Sequence, residues 1–376
     1  MLERLSTHLL LSPSDMPPSS EQMRVVSVFN PGVIDTNDGV VMLVRVAEAV
    51  AQRRAGHVGL PRWDVSHNGA PARIVIDWVA QDDLVHIDPR VVEGKADGLT
   101  RLTFTSHLRV VRLGKDGRSV DKQALAEAPR FVPATAMETY GVEDPRISRL
   151  GDVYYFTYVA VSRHGACTAM ASTTDFVRFK RHGVIFPAEN KDVVLFPRKI
   201  SGAYVALHRP NPRTHFARPE MWLAWSSDLV HWGHHQVLMS DAAPHRAAAG
   251  AESSKADWRI GRVGAGCPPV ETRAGWLEIY HGNDKPAGSA SHEVGAYVAA
   301  AVLIDRDNPR KVLAMAPEPI MRPEADFERT GFVPNVVFPT GIIERGDRYQ
   351  VYYGAADACT GVVEWDKDSL LALLGQ

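Results

Sequence analysis

Residues 338–357 read FPTGIIERGDRYQVYYGAAD: a Pro-containing opening, a Gly-Asp turn, and an aromatic-rich strand that ends in polar residues. Three earlier stretches repeat this pattern, namely DPRISRLGDVYYFTYVAVS (144–162), FPRKISGAYVALHRP (196–210) and PPVETRAGWLEIYHG (268–282). Repeats with two visible strands per copy are typical of propeller blades, which protect their sheet edges by radial packing. We therefore predict an all-β fold in which polar residues at equivalent places converge on one pocket.

A second repeated element supports this interpretation. TTDFVRF (173–179) and SSDLVHW (226–232) share a Ser or Thr, an Asp, an apolar residue and an aromatic residue at the same spacing. Short polar side chains of this kind accept hydrogen bonds from nearby backbone amides and so form turns. Each copy is predicted to be the outer hairpin of a blade.

The composition favours one large domain with a small, neutral ligand. The chain has 376 residues, 45% of them hydrophobic, and its formal net charge is -2. Near-equal numbers of acids and bases give no reason to expect a nucleic acid or a membrane as partner. Eight Trp and ten Tyr residues suit a sugar site, where aromatic faces pack against ring C–H groups. A homodimer is compatible with the sequence.

The N-terminal region is predicted to be an arm over residues 1–24, with a single propeller domain over residues 25–376. The arm ends in the Pro/Ser-rich SPSDMPPSS and lacks the features of a signal peptide. Three cysteines, Cys167, Cys267 and Cys359, lie far apart with no metal-ligand spacing. They indicate reduced thiols in a cytoplasm, and we expect neither a metal nor a cofactor.

Several polar residues of the repeats are candidates for a site. In GVEDPRI, Pro145 fixes the backbone so that Asp144 can project inward as an acid; the alternative is an Asp that caps a turn. His208 and Arg209 end the second repeat, and His281 ends the third at the matching place. These histidines could bind ligand hydroxyls or an anion, or be ordinary core residues.

Two glutamates complete a set of three carboxylates from three blades. Glu220 opens the strand EMWLAW, and Glu271 lies in PPVETRAGW. An acidic residue in a blade opening faces either water or a ligand. Together with Asp144 they could supply a general acid on one face of a glycosidic bond and a water-activating base on the other.

The ordered motifs FNPG, SHLRV, GVEDPRI, HRP, GAGCPPVET, GWLEIYHG and YYGAAD resemble glycoside hydrolase family 130 from about Val25 to Val363. The resemblance implies a five-bladed β-propeller that acts on β-mannosides with inversion, either by hydrolysis or by phosphorolysis. It also implies that Asp144 is the proton donor, acting through a sugar hydroxyl. Asn30, Arg109 and Asp357 match positions that hold the mannosyl ring.

Hydrolysis is the predicted reaction within this family. Phosphorylases need basic side chains for phosphate, because a dianion is costly in a low-dielectric pocket without positive partners. Glu220 and Glu271 are predicted to stand at those places and to activate water instead. The expectation is thus an inverting β-mannosidase, with a β-1,2-linked manno-oligosaccharide as substrate; the alternative is a β-mannoside phosphorylase, in which Arg209 could serve the anion.

Overall fold

The computed structural model of the chain describes residues 2–65, 72–212, 218–239, 258, 261–284 and 295–376. Strands dominate these residues, and α-helix is confined to α1 (Asp326–Arg329) and α2 (Lys367–Ala372). Short 3₁₀ turns occur at Pro13–Asp15, Gln81–Asp83, Gln123–Glu127 and Ala136–Glu138. The predicted all-β class is confirmed.

The described residues form 26 strands, and strands that are consecutive in chain order mostly belong to the same sheet. In that order they are β1 (Ser6–Leu11), β2 (Met23–Thr36), β3 (Gly39–Val50), β4 (His57–Asp64), β5 (Arg73–Ala80), β6 (Leu84–Asp88), β7 (Val91–Gly94), β8 (Thr100–Leu102), β9 (Phe104–Leu113), β10 (Arg130–Phe131), β11 (Gly141–Leu150), β12 (Val153–Ser162), β13 (Gly165–Thr173), β14 (Lys180–Phe186), β15 (Asn190–Leu195), β16 (Tyr204–Pro210), β17 (Met221–Ser226), β18 (Gly233–Met239), β19 (Arg262–Ala265), β20 (Val270–Thr272), β21 (Gly275–Asn283), β22 (Tyr297–Ile304), β23 (Val312–Met315), β24 (Val337–Arg345), β25 (Arg348–Ala355) and β26 (Cys359–Asp366).

Five groups of strands are named here sheets 1 to 5. Sheet 1 contains β2, β3, β9 and β10; sheet 2 contains β11 to β14; sheet 3 contains β15 to β18; sheet 4 contains β19 to β23; and sheet 5 contains β24 to β26 with β1. Sheets 1 and 2 are joined by one parallel contact between Gly141 and Ser106. A Cβ at Gly141 would lie 2.7 Å from the Ser106 nitrogen, so this junction needs glycine. Between β3 and β9, the chain adds the β4–β5 hairpin and the three-stranded sheet β6–β7–β8.

The hydrophobic core is divided into clusters that lie between neighbouring sheets. Separate clusters join sheet 1 to sheet 2, sheet 2 to sheet 3, sheet 3 to sheet 4, and sheet 4 to sheet 5. A further cluster joins sheet 5 back to sheet 1, where Tyr352 and Val362 pack with Val28 and Val44. Each of the five sheets is therefore packed between two others, while the number of blades stays a prediction.

The N-terminal segment contributes a strand. Part of the predicted arm, β1, pairs antiparallel with β26, with Ser6 opposite Glu364 and Leu9 opposite Gly361. Leu10 and Leu11 are buried while His8 and Leu9 are exposed, so the C-terminal end of the strand packs into the core. Sheet 5 thus contains strands from both ends of the chain, a pairing that no local pattern in residues 1–24 reveals.

The two Asp-containing turns form as predicted. The carboxylate of Asp175 accepts hydrogen bonds from the backbone amides of Val177 and Arg178, and the carboxylate of Asp228 does the same for Val230 and His231. These turns link β13 to β14 and β17 to β18. In the described residues, no helix is long and apolar enough to cross a membrane.

Candidate active site

The first strands of sheets 1, 2 and 3 each carry a bulge with a polar residue in the left-handed conformation. These residues are Asn30 in β2, Asp144 in β11 and Asp192 in β15, with φ of +48°, +49° and +54°. The strand register shifts at each of them. Asn and Asp tolerate this conformation better than most residues, and a bulge re-aims side chains that strict alternation would point into the sheet packing.

These bulges line a cavity of about 510 Å³. Every one of the five sheets contributes to its wall: Asn30 and Arg45 come from sheet 1, Asp144 from sheet 2, Lys191 and Arg209 from sheet 3, Arg262 and Tyr297 from sheet 4, and Asp357 from sheet 5. A concave space with a few convergent polar groups is the usual form of a small-molecule site.

Asp144 is held in the cavity wall by two side chains of sheet 1. Its Oδ1 accepts hydrogen bonds from Asn30 Nδ2 at 2.9 Å and from Arg45 Nη1 at 3.0 Å. The other arm of Arg45 lies 2.6 Å from Glu143 Oε1. Burial by itself would raise the pKa of Asp144, but Arg45, Arg146, the Asn30 hydrogen bond and Lys191 bring that pKa below its ordinary value. The resting site therefore contains an ionised Asp144.

The pKa of Asp357 is raised, whereas that of Asp144 is lowered. Asp357 lies in the turn between β25 and β26, with Arg90 Nη1 at 3.6 Å from its Oδ2, and Asp88 in turn binds Arg90 at 3.1 Å. Burial raises the pKa of Asp357 to about 6, and the negative charges of Asp144 and Glu143 add to this shift, while Arg90 and Arg45 oppose it. The cavity therefore holds Asp144 and Asp192 as charged carboxylates beside Asp357, which takes up a proton in mildly acidic solution.

This difference predicts a pH-dependent stability change for Asp357→Asn. Folding raises the pKa of this carboxyl from about 4 to about 6, so the folded protein binds a proton that the unfolded chain releases, and the contribution of Asp357 to the free energy of unfolding falls as the pH rises through this window. We expect the Asn variant to gain thermal stability over the wild type at about pH 7.5 and to gain little at about pH 4.5. Thermal unfolding at both pH values measures this, with Asp38→Asn in the exposed β2–β3 turn as control. An equal gain at both pH values would show that ionisation is not the cause.

One side of the cavity carries three cationic side chains. Arg209 is buried and lies 2.6 Å from Asp192 Oδ2, and its Nη1 is 2.9 Å from His281 Nε2. Lys191 and Arg262 have no carboxylate within ion-pair distance in the described part of the chain; Arg262 donates to the Tyr297 hydroxyl at 3.2 Å. Two of the three cations can therefore take an anionic ligand without losing a partner.

His281 does not line the cavity but contacts Arg209, one of the three cationic residues. Burial lowers the pKa of His281 to about 4, against the opposing effect of Asp192, so the imidazole is neutral at neutral pH. It can accept the hydrogen bond from Arg209 and hold that guanidinium in place.

The structure brings some of the predicted site residues together and separates others. Asn30, Asp144, Arg209 and Asp357 line the cavity, and His281 contacts Arg209 from the second layer.

Two predicted ligand-binding residues are buried elsewhere. Arg109 donates to the backbone oxygens of Pro17 and Leu125 and so anchors the N-terminal segment. His208 stacks on Phe186 with ring centroids 4.6 Å apart and contacts Asn190 Nδ2 at 3.0 Å. Neither lines the cavity.

The two glutamates are also absent from the cavity wall. Glu271, in the short strand β20, is 37% exposed and forms an ion pair with Arg198, 2.6 Å away, which lowers its pKa. Glu220 immediately precedes β17 and is half-buried; its neighbour Pro219 lines the cavity but Glu220 does not.

Sequence reasoning missed Arg45, Lys191 and Arg262. Arg45 interrupts the apolar run GVVMLVRVAEAV, and a charge inside a buried strand is a signal for a polar partner. Lys191 precedes Asp192 as Phe29 precedes Asn30 and Glu143 precedes Asp144, so aligning the bulged strands would have found it. No group of three His, Cys, Asp or Glu side chains is placed to bind a metal within the described ranges.

Comparison with known proteins identifies similar enzymes. A curated relative from Listeria innocua, named beta-1,2-mannobiose phosphorylase, is 36% identical over 358 residues, which span 94% of this chain and 93% of the relative. A 1,2-beta-oligomannan phosphorylase from Thermoanaerobacter sp. is 36% identical over 239 residues, or 63% of this chain and 72% of the relative. Among solved structures, the Listeria innocua enzyme in complex with beta-1,2-mannobiose has a TM-score of 0.81 at 33% identity and covers 97% of both chains.

These relatives show that the prediction of hydrolysis is wrong, because they are named phosphorylases and one of them matches nearly the whole chain. That prediction placed Glu220 and Glu271 where a phosphorylase carries positive charge. The cavity wall instead contains Lys191, Arg209 and Arg262. The water-activating role of the two glutamates is therefore withdrawn.

The family prediction, in contrast, is confirmed. The family model described as beta-1,4-mannooligosaccharide phosphorylase matches residues 110–376. This match covers more than half of the chain and includes the strands that carry Asp144 and Arg209 and the turn that carries Asp357. The chain belongs to glycoside hydrolase family 130.

Proposed function

We propose that this protein is a β-mannoside phosphorylase that cleaves β-1,2-linked manno-oligosaccharides with inorganic phosphate. The observation that carries the proposal is the cationic side of the cavity, where Lys191 and Arg262 lack carboxylate partners in the described part of the chain. Fixed positive side chains offset the cost of desolvating a phosphate dianion. The full-length similarity to a beta-1,2-mannobiose phosphorylase supports the linkage.

The reaction follows from the arrangement of charges. A phosphate oxygen held by Lys191, Arg209 and Arg262 attacks C1 of the mannosyl ring from the α face, and the β-glycosidic C1–O bond breaks. The departing oxygen receives a proton that originates at Asp144 and passes through a sugar hydroxyl. The products are α-mannose 1-phosphate and the shortened oligosaccharide. Asn30 and Asp357 hold the mannosyl ring in this proposal.

Phosphate binding also provides a reason for Asp144 to acquire a proton. Lys191 is one of the groups that keep the pKa of Asp144 low in the resting site. A phosphate dianion beside Lys191 would compensate that positive charge, and nearby negative charge raises the pKa of a carboxyl group. Asp144 would therefore be protonated more readily in the ternary complex than in the free enzyme.

Incubation with β-1,2-mannobiose tests the reaction type. We expect mannose 1-phosphate to form only when inorganic phosphate is present, and phosphorus NMR to identify the first product as the α anomer. β-1,4-Mannobiose under the same conditions serves as the linkage control and is expected to react more slowly. Release of free mannose at the same rate without phosphate would contradict the proposal.

The five-bladed propeller is part of the same proposal. The chain-order sequence of sheets 1 to 5, with a hydrophobic cluster between each neighbouring pair and another between sheets 5 and 1, supports it. The pairing of β1 with β26 in sheet 5 would join the two ends of the chain in the last blade. Side chains from all five sheets reach the cavity, as a central site would require.

We also propose that the enzyme works in the cytoplasm. Cys167 and Cys267 are buried free thiols, and Cys359 is a partly buried one. Burial raises the pKa of all three thiols, which makes them unreactive rather than ready for disulfide exchange. Unpaired cysteines are the usual condition of proteins in a reducing compartment.

A further inference from the structure

A second cavity of about 460 Å³ adjoins the active site; we call it the accessory cavity. Phe104 and Phe332 line both cavities, and their rings pack edge to face with centroids 6.2 Å apart. These two side chains therefore form part of a shared wall. The rest of the accessory cavity comes from β2, the end of β3 and the segment after it, and the β4–β5 hairpin, with Gln81, Pro89 and Thr103.

The ionisable side chains that line the accessory cavity are all basic. Arg24, Arg53, Arg54 and His57 line it, and no described Asp or Glu does. Among the described residues, no carboxylate lies within ion-pair distance of any of the three arginines. This contrasts with the active-site cavity, where Asp192 pairs with Arg209 and Asp144 pairs with Arg45. Three uncompensated guanidinium groups around one concavity favour an anion, and the planar guanidinium matches phosphate in a bidentate way.

The same cavity has an aromatic wall. Trp78 of the β4–β5 hairpin faces it together with Phe104 and Phe332. The indole of Trp78 packs closely on the hairpin backbone, since a Cβ at Gly59 would lie 3.2 Å from it. Aromatic faces held in this way can pack against the C–H groups of a sugar ring.

We propose that the accessory cavity is a binding site for a phosphorylated sugar. The phosphate lies among Arg24, Arg53 and Arg54, and the sugar ring packs against Trp78. A volume of about 460 Å³ falls within the usual range for small-molecule sites. The net charge of -2 for the whole chain provides no general attraction for a large polyanion such as a nucleic acid.

Calorimetric titration of the full-length enzyme tests the proposal. Mannose 6-phosphate serves as the probe, because it carries the proposed chemistry without being the expected product, with inorganic phosphate and mannose titrated separately. We expect mannose 6-phosphate to bind at least about tenfold more tightly than either, since phosphate hydrogen bonds and ring packing contribute together. Equal affinity for inorganic phosphate would overturn the assignment of a sugar.

Variants then locate the binding. R53Q/R54Q is expected to weaken mannose 6-phosphate binding by about tenfold or more, because it removes two charge-assisted contacts. The control R112Q/R178Q removes the same charge from exposed positions outside this cavity and is expected to bind as the wild type does. Unchanged binding by R53Q/R54Q would place the ligand elsewhere and overturn the proposal.

Trp78→Ala separates the sugar from the phosphate. This variant is expected to lose affinity for mannose 6-phosphate while keeping its affinity for inorganic phosphate. An equal loss for both ligands would contradict the proposed stacking. The proposed active site also binds phosphate, and R53Q/R54Q leaves its lining unchanged, so the binding that this variant loses belongs to the accessory cavity whether or not the active site carries out phosphorolysis.

Discussion

Asp144→Asn is expected to lower kcat for phosphorolysis of β-1,2-mannobiose by about 10²- to 10⁴-fold, the usual contribution of a general acid. The substitution keeps the size of the side chain and removes the group that supplies the proton. The contacts with Asn30 and Arg45 show that the position is fixed before substrate arrives. The KM for mannobiose is expected to change less than kcat, because the proton is needed mainly in the transition state.

A substrate that needs no protonation provides the control. With 2,4-dinitrophenyl β-mannoside the leaving group departs as a stable anion, so the loss caused by Asp144→Asn should be much smaller. Circular dichroism and thermal unfolding check that the variant is folded, since Arg45 would still be paired with Glu143. If the variant retained more than about a tenth of wild-type kcat on mannobiose, Asp144 would not be the acid.

The sequence predicted the β class and part of the site because both depend on local repeats. The bulged strands at Asn30 and Asp144 carry an Asn-Pro or Asp-Pro step within the quoted motifs FNPG and GVEDPRI. Asp192 has the same conformation but is followed by Val193 and not by proline, so the sequence alone did not indicate that it lies in the cavity wall. Spacing within a repeat is therefore a better guide to the inner wall than any single motif.

The part that could not be predicted depends on distance across the fold. Glu271 has the residue type and repeat position of a catalytic base, but Arg198, which is 73 residues away, binds it outside the cavity. Arg109 lies on a strand next to the site, yet its side chain bonds to the N-terminal segment instead. Whether a charged side chain faces a ligand or a distant partner is decided by packing between sheets, which a single sequence does not encode locally.

The cationic side of the cavity gives the second large expected effect. Lys191→Met is expected to raise the KM for inorganic phosphate by about 10- to 100-fold, because a hydrogen bond to a charged group is worth roughly 1.5–3 kcal/mol. The KM for mannobiose should change by less than about twofold if Lys191 contacts only the anion. Met preserves most of the length and apolar stem of Lys, so the cavity wall should keep its shape.

Lys191 is the best residue for this test because its removal leaves no buried charge unpaired. Arg209→Met would strand the buried carboxylate of Asp192, and such a loss is strongly destabilising. Lys115→Met, in the exposed turn after β9, controls for the loss of one positive charge from the protein. Initial rates measured with phosphate and mannobiose varied in turn give both constants. Equal increases in the two KM values would mean that Lys191 shapes the whole cavity, and an unchanged phosphate KM would remove it from the phosphate site.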